Sequence, residues 1–207
     1  MPIIRICLAL GGLTALLACP SAPAQVFVRD DIRRDPRPEL FSVCHGNGCT
    51  SLSHVSLSAE EWRQVREIFF PLAKTAAEER ERLRRAIALI ERQVGAAIGT
   101  WQDKGGTFNG GEGQMDCIDE STNTTLYLAM LQGYGLMRHH RVEAPATRGW
   151  FFAGWPHTTA VIAEGGHSAV VGEEPRLWAV DSWFLDNGEP PFILPLEVWQ
   201  AGWEPIK

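Results

Sequence analysis

The order of elements predicts an α+β fold, with helices gathered on one side of an antiparallel sheet. Three observations lead to it. An apolar repeat at Leu83, Ile87, Ile90, Val94 and Ala97 steps by four and three residues until Gly99 stops it, which is helical spacing. A second helix runs from Cys117 to about Gln132, where Gly133 and Gly135 end it. Short apolar runs separated by Gly, Pro and Asn turns follow, and helices first with strands after is the α+β order.

Taken in order, Arg5, the 13-residue apolar run Ile6–Ala18 and the small-residue site Ala22-Pro23-Ala24 read as a secretory signal peptide over residues 1–24. The run is too short to span a bilayer, and no later segment is long and apolar enough to do so. A lipid anchor at Cys19 is the rival reading of the same stretch. Periplasmic or secreted placement is therefore expected. Residues 25–57 are polar and proline-bearing, an irregular arm carrying the Cys44–Cys49 loop, and 58–207 form the main domain. Ser58 and Glu61 spell a capping box ahead of Trp62, Val65 and Phe69, with Pro71 ending or kinking that helix. A second helix starts near Ala76. Leu136–Val142, His157–Ala163, Leu177–Asp181 and Phe192–Leu194 read as strands, and Pro195 starts a short helix.

Without its leader the chain carries 18 basic and 25 acidic side chains, a formal charge of −7. Arg and Glu alternate over 80–92 as on a solvated helix face, so nucleic acid is not an expected partner. Three cysteines remain. In an oxidising compartment they make one bridge and one free thiol. Cys44-His45-Gly46-Asn47-Gly48-Cys49 has the glycines to close a short loop, which leaves Cys117 free. Metal or redox use of the Cys44/Cys49 pair is the alternative, although a fourth zinc ligand is not evident nearby. His139 and His140 are neighbours on a predicted strand and point to opposite faces, so they are read as surface or packing residues. No metal or cofactor is expected.

The chemistry-bearing residues are Cys117 at a helix start, His157 opening a strand and Asp181 closing the next. If residue 163 faces 175 in an antiparallel pair, paired numbers sum to 338 and His157 faces Asp181. The carboxylate then orients the imidazole, and the other ring nitrogen is aimed at the sulfur. The helix start favours the thiolate. Asp116, Asp119 and Glu120 oppose it, so His157 must supply the compensating charge. Cys117 is accordingly expected to react with alkylating agents well below the pKa of about 8.5 of an ordinary thiol.

Cys-x-Asp opening a helix (Cys117, Asp119), a His-led apolar strand (His157) and an aromatic-x-Val-Asp strand end (Trp178, Val180, Asp181) resemble the core of the transglutaminase-like superfamily, nearest to the bacterial transglutaminase-like cysteine proteinases. The resemblance covers roughly residues 84–184. It implies a papain/transglutaminase-like core and acyl transfer through a Cys-His-Asp triad. The chain departs from that pattern in Met115, where those proteins usually have Gly, and in Ser121–Thr125, which replaces an apolar, alanine-rich stretch.

The expected activity is that of an exported thiol enzyme acting on an amide or peptide bond. Water as acceptor makes it a cysteine peptidase or amidase; an amine makes it a transglutaminase-like acyltransferase. Hydrolysis is favoured because water needs no second site. The glycine-rich 99–115 segment reads either as a flexible loop or as backbone that approaches substrate, with Gln114 or Trp101 as an oxyanion donor beside the Cys117 N–H. Trp155 and Trp183, each two residues from a triad member, are candidates to wall a substrate groove. The competing reading is a catalytically silent transglutaminase-like module that binds peptide or cell-wall material.

Overall fold

The computed structural model describes residues 28–107, 111, 113–149, 156–165 and 175–206. The predicted leader, Trp155 and the turn between the His157 and Asp181 strands lie outside the described residues. In chain order the elements are β1 (Phe41–His45), β2 (Ser51–Val55), α1 (Ala59–Glu67), α2 (Ala76–Ile98), a 3-10 turn (Thr100–Gln102), α3 (Cys117–Gly133), β3 (His140–Arg148), β4 (His157–Glu164), β5 (Arg176–Asp181), β6 (Phe192–Pro195) and α4 (Leu196–Gln200). The four later strands form an antiparallel meander in sequence order. No helix among the described residues is long and apolar enough to cross a membrane.

Local signals set the helix ends. The Ser58 side chain accepts from Glu61 N while Glu61 returns a bond to Ser58 N, the reciprocal capping box read from the sequence. α2 ends at Gly99, whose φ of 87° is the left-handed conformation that closes a helix cheaply only without a side chain. Asp116 caps α3 by accepting from Ile118 N and Asp119 N.

The arm differs from expectation. β1 and β2 pair in register as a hairpin, and Phe41 and Val43 sit in the main core with Ile87, Leu128 and Ile162. The hairpin was legible only as polar, proline-bearing chain because the five residues of β2, Ser51-Leu52-Ser53-His54-Val55, are exposed or half-exposed and the strand is held by its partner. β3 also starts later than the predicted Leu136–Val142 strand. Leu136 and Met137 turn into the core, and the buried Glu79 carboxylate collects the N–H groups of Arg138, His139 and His140. It also accepts from or pairs with His140 Nδ1 at 2.9 Å. Burial works to raise the Glu79 carboxyl, but His140 and the backbone donors outweigh it, and the net shift is downward. Glu79→Ala would leave the N–H groups of Arg138, His139 and His140, and the buried His140 ring, without their acceptor; a loss of about 3 kcal/mol in denaturant unfolding is expected, and a loss below 1 kcal/mol would contradict this role.

The sheet is covered on both faces, which corrects the one-sided arrangement. α2 and α3 pack on the face bearing Val142, Ala160, Ile162 and Val180, whereas α4 covers Val161 and Ala179 with Leu196 and Trp199. The cause is β4 itself, buried at six of its eight positions, which no single layer can shield from water. Pro145 is tolerated in β3 because that strand is at the edge of the meander and the register breaks between Glu143 and Ala146.

Candidate active site

The register of β4 on β5 pairs Ala160 with Val180 and Glu164 with Arg176, so paired numbers sum to 340 rather than 338. A two-residue shift keeps every side chain on its predicted face. His157 and Asp181 therefore meet on the diagonal instead of directly opposite, and the imidazole Nε2 lies 2.7 Å from Asp181 Oδ2. Asp181, 1% exposed, also accepts from Trp199 Nε1 at 2.6 Å and from Trp183 N at 3.2 Å. Trp199 comes from α4, and its role had no local signal: it lies 18 residues beyond Asp181 among many tail aromatics. The His157 ring is packed by Trp183, Phe184 and Trp199, with centroids 4.8, 5.1 and 5.4 Å away. Its Nδ1 is buried and has no hydrogen-bond partner among the described residues.

Among the described residues Cys117 is the free cysteine, and it is 4% exposed. Its sulfur contacts the Pro156 carbonyl at 3.9 Å and also receives the Thr158 backbone N–H, so the thiol abuts the chain on both sides of His157. No hydrogen bond joins it to the imidazole in this conformation. The expected resting thiolate is corrected: burial pushes the thiol from 9.0 up to about 11, Asp116 and Asp181 add to the push, and the N–H groups of Thr158 and Cys117 only partly oppose it.

A clamp holds the start of α3 in place. Cys44 and Cys49 are disulfide-bonded, and the turn between β1 and β2 has four successive residues at positive φ, Gly46 through Cys49. That run turns its N–H groups toward the α3 terminus. Asn47 N and Cys49 N donate to Asp119 at 2.8 and 2.7 Å, and Gly48 N donates to Asp116 at 2.8 Å. Asn123 then bonds both backbone groups of Cys44. The polar run of α3 is thus consumed in the interior: Ser121 and Thr125 hydroxyls donate to helix carbonyls, and Thr124 meets Ser182. Cys44, Cys49 and Asp119 form the metal-like cluster among the described residues, but the sulfurs are spent on each other and the carboxylate on N–H donors.

The glycine-rich segment is fastened where it is described. A Cβ on Gly113 would lie 2.4 Å from the Gly99 carbonyl, and one on Gly105 equally close to Leu185 N, so these glycines permit close backbone packing. Gln114 donates its amide to the Gln102 carbonyl and accepts from Lys104 N, which occupies both ends of the proposed oxyanion donor. Trp101 is 63% exposed. The Cys117 N–H lies in the first turn of α3, among the backbone donors that a helix start leaves without an intrahelical partner. The Trp183 ring lies against the imidazole.

Behind the site lie buried carboxyls. Burial, with Asp103 adding to it, raises Glu91 from 4.5 to about 7, against Gly188 N, the Ser182 hydroxyl and Arg92; burial likewise raises Asp103 from 3.8 to about 6. Burial, with Glu91 and Asp103 adding to it, raises Glu120 well above the usual carboxylate range. A raised folded pKa contributes stability that is complete below the unfolded pKa and is lost as pH climbs through the folded value. Melting is therefore expected at a higher temperature at pH 5 than at pH 8, and Glu91→Gln should flatten the profile. A melting temperature that rises from pH 5 to 8 would contradict it.

Searches against protein-family models, curated proteins and solved structures return no match to this chain.

Proposed function

We propose that this protein is an exported thiol enzyme of transglutaminase-like type that cleaves amide bonds in peptide or cell-wall material through Cys117, His157 and Asp181. The supporting observation is the imidazole: one nitrogen bound to a buried carboxylate, the other buried and unpartnered, beside a thiol lodged between its flanking backbone groups. In the reaction the thiol turns from Pro156 O to His157 Nδ1 and gives up its proton there as sulfur bonds the substrate carbonyl carbon. Asp181 stabilises the imidazolium, and the Cys117 N–H faces the oxyanion. Collapse breaks the C–N bond, and the amine leaves with the Nδ1 proton. Water then gives a proton to Nδ1, attacks the thioester and restores the thiol. The leader pattern and the disulfide support an oxidising compartment.

A second reading, a silent module that binds the same material, is favoured by the thiol resting on a carbonyl with its pKa near 11. Two reagents separate them. Iodoacetamide should react slowly at pH 7 and faster through pH 9–11, because it meets the resting thiol. An acylating peptide probe should label Cys117 at pH 7, and His157→Ala should abolish that labelling. Equal labelling of both proteins, or none of either, would move the assignment to the binding module.

A further inference from the structure

A cavity of about 410 Å³ opens next to the imidazole, lined by Gly106, Trp183, Phe184, Phe192, Glu204 and Pro205 among others. It adjoins the site directly, because Trp183 and Phe184 are also the rings against His157. Its walls are braced from behind: Trp203 meets Phe184 and Phe192 edge-on at 6.0 and 5.0 Å. Gly106, with φ of 66°, supplies bare backbone, and a Cβ there would meet nothing within 4 Å. The absence of a side chain keeps that space open.

Among the described residues one charged group lines this cavity, the exposed carboxylate of Glu204. Arg148 feels the Glu204 charge, but its guanidinium is held 4.5 Å over the Trp199 ring and donates to the Trp199 carbonyl. Glu204 has no ion pair among the described residues. Aromatic faces with a single carboxylate suit a ligand that has a hydrocarbon stem and a positive tip. A purely apolar group would cover the carboxylate without compensating it, and an acidic one would be repelled, the more so on a chain of net charge −6.

We infer that this cavity is a specificity pocket for a basic side chain, lysine or arginine, of the peptide whose carbonyl reaches Cys117. The inference rests on the acyl-transfer reading for its place in the reaction, but its test does not need turnover. Blocked single residues, N-acetyl methylamides of lysine, norleucine and glutamate, are titrated into Cys117→Ser while tryptophan fluorescence or amide shifts are followed. The lysine compound should bind at least about threefold more tightly than the norleucine compound, as a cation on rings and a carboxylate warrants, and the glutamate compound most weakly. Glu204→Gln, a change at an exposed position, should remove most of the lysine preference, and so should added salt. Equal binding of lysine and norleucine, or a preference unaltered in Glu204→Gln, would overturn the pocket. Selective lysine binding in a protein whose wild-type thiol no acylating probe ever labels would uphold the pocket while removing the acyl-transfer reading.

Discussion

Asp181→Asn is expected to lower turnover of an amide probe by about 10³-fold or more, with the fold retained. Three donors converge on this carboxylate: His157 Nε2, Trp199 Nε1 and Trp183 N. An asparagine keeping its oxygen toward His157 and Trp199 turns its amide N–H against Trp183 N; the flipped amide faces two donors. Either way the negative charge that stabilises the imidazolium is gone, so the loss falls on the chemical step and not on binding. Asp181→Ala adds a structural cost of about 3–5 kcal/mol, because the donors are left buried without an acceptor. Trp199→Phe removes one donor and is expected to have a smaller effect. Full activity in Asp181→Asn would exclude it as the orienting residue.

The parts of this site that were legible in the sequence are those encoded locally. Ser58 with Glu61 marks a helix start through side chains that bond within three residues, and Gly99 marks an end through its own φ; the Asp116–Asp119 box is equally local but was read only as charge opposing the thiolate. The His157–Asp181 contact survived an error in register because strand side chains alternate with period two, and the shift was two residues. Long-range pairings were not legible. Glu79 starts β3 from about 60 residues away, and Asn123 binds Cys44 across 79 residues. Read alone, Ser121–Thr125 looked like a poor way to build a buried helix; its partners in the hairpin and at Ser182 make it a satisfied one. The thiol's pKa was misjudged for a related reason. A helix start predicts an electropositive neighbourhood, whereas the degree of burial that decides the sign is a property of the folded chain.

Breaking the clamp on α3 is expected to have opposite effects on the reactivity of Cys117 and on its catalysis. The loop-entropy contribution of a bridge closing so short a loop is about 2 kcal/mol. The larger share comes from what the loop holds: the Asp119 carboxylate is buried and satisfied by Asn47 N and Cys49 N, with Asp116 N as a third donor. Burial raises this carboxyl from 3.8 to about 7, with Asp116 adding to the push, and the backbone donors pull it back. Cys44→Ser with Cys49→Ser, or reduction of the bridge, should cost about 2–5 kcal/mol in unfolding free energy, and Asp119→Ala should cost a similar amount. In each case the first turn of α3 loosens and water reaches the sulfur. Since burial is the main cause holding the thiol near 11, its pKa should fall toward 9, and iodoacetamide labelling at pH 8 should rise severalfold. Labelling by the acylating peptide probe should fall in the same samples, because the sulfur is no longer held between Pro156 and Thr158, beside His157. Parallel changes of the two labels would mean that the clamp controls only access; no change in either would mean that the hairpin does not position the thiol.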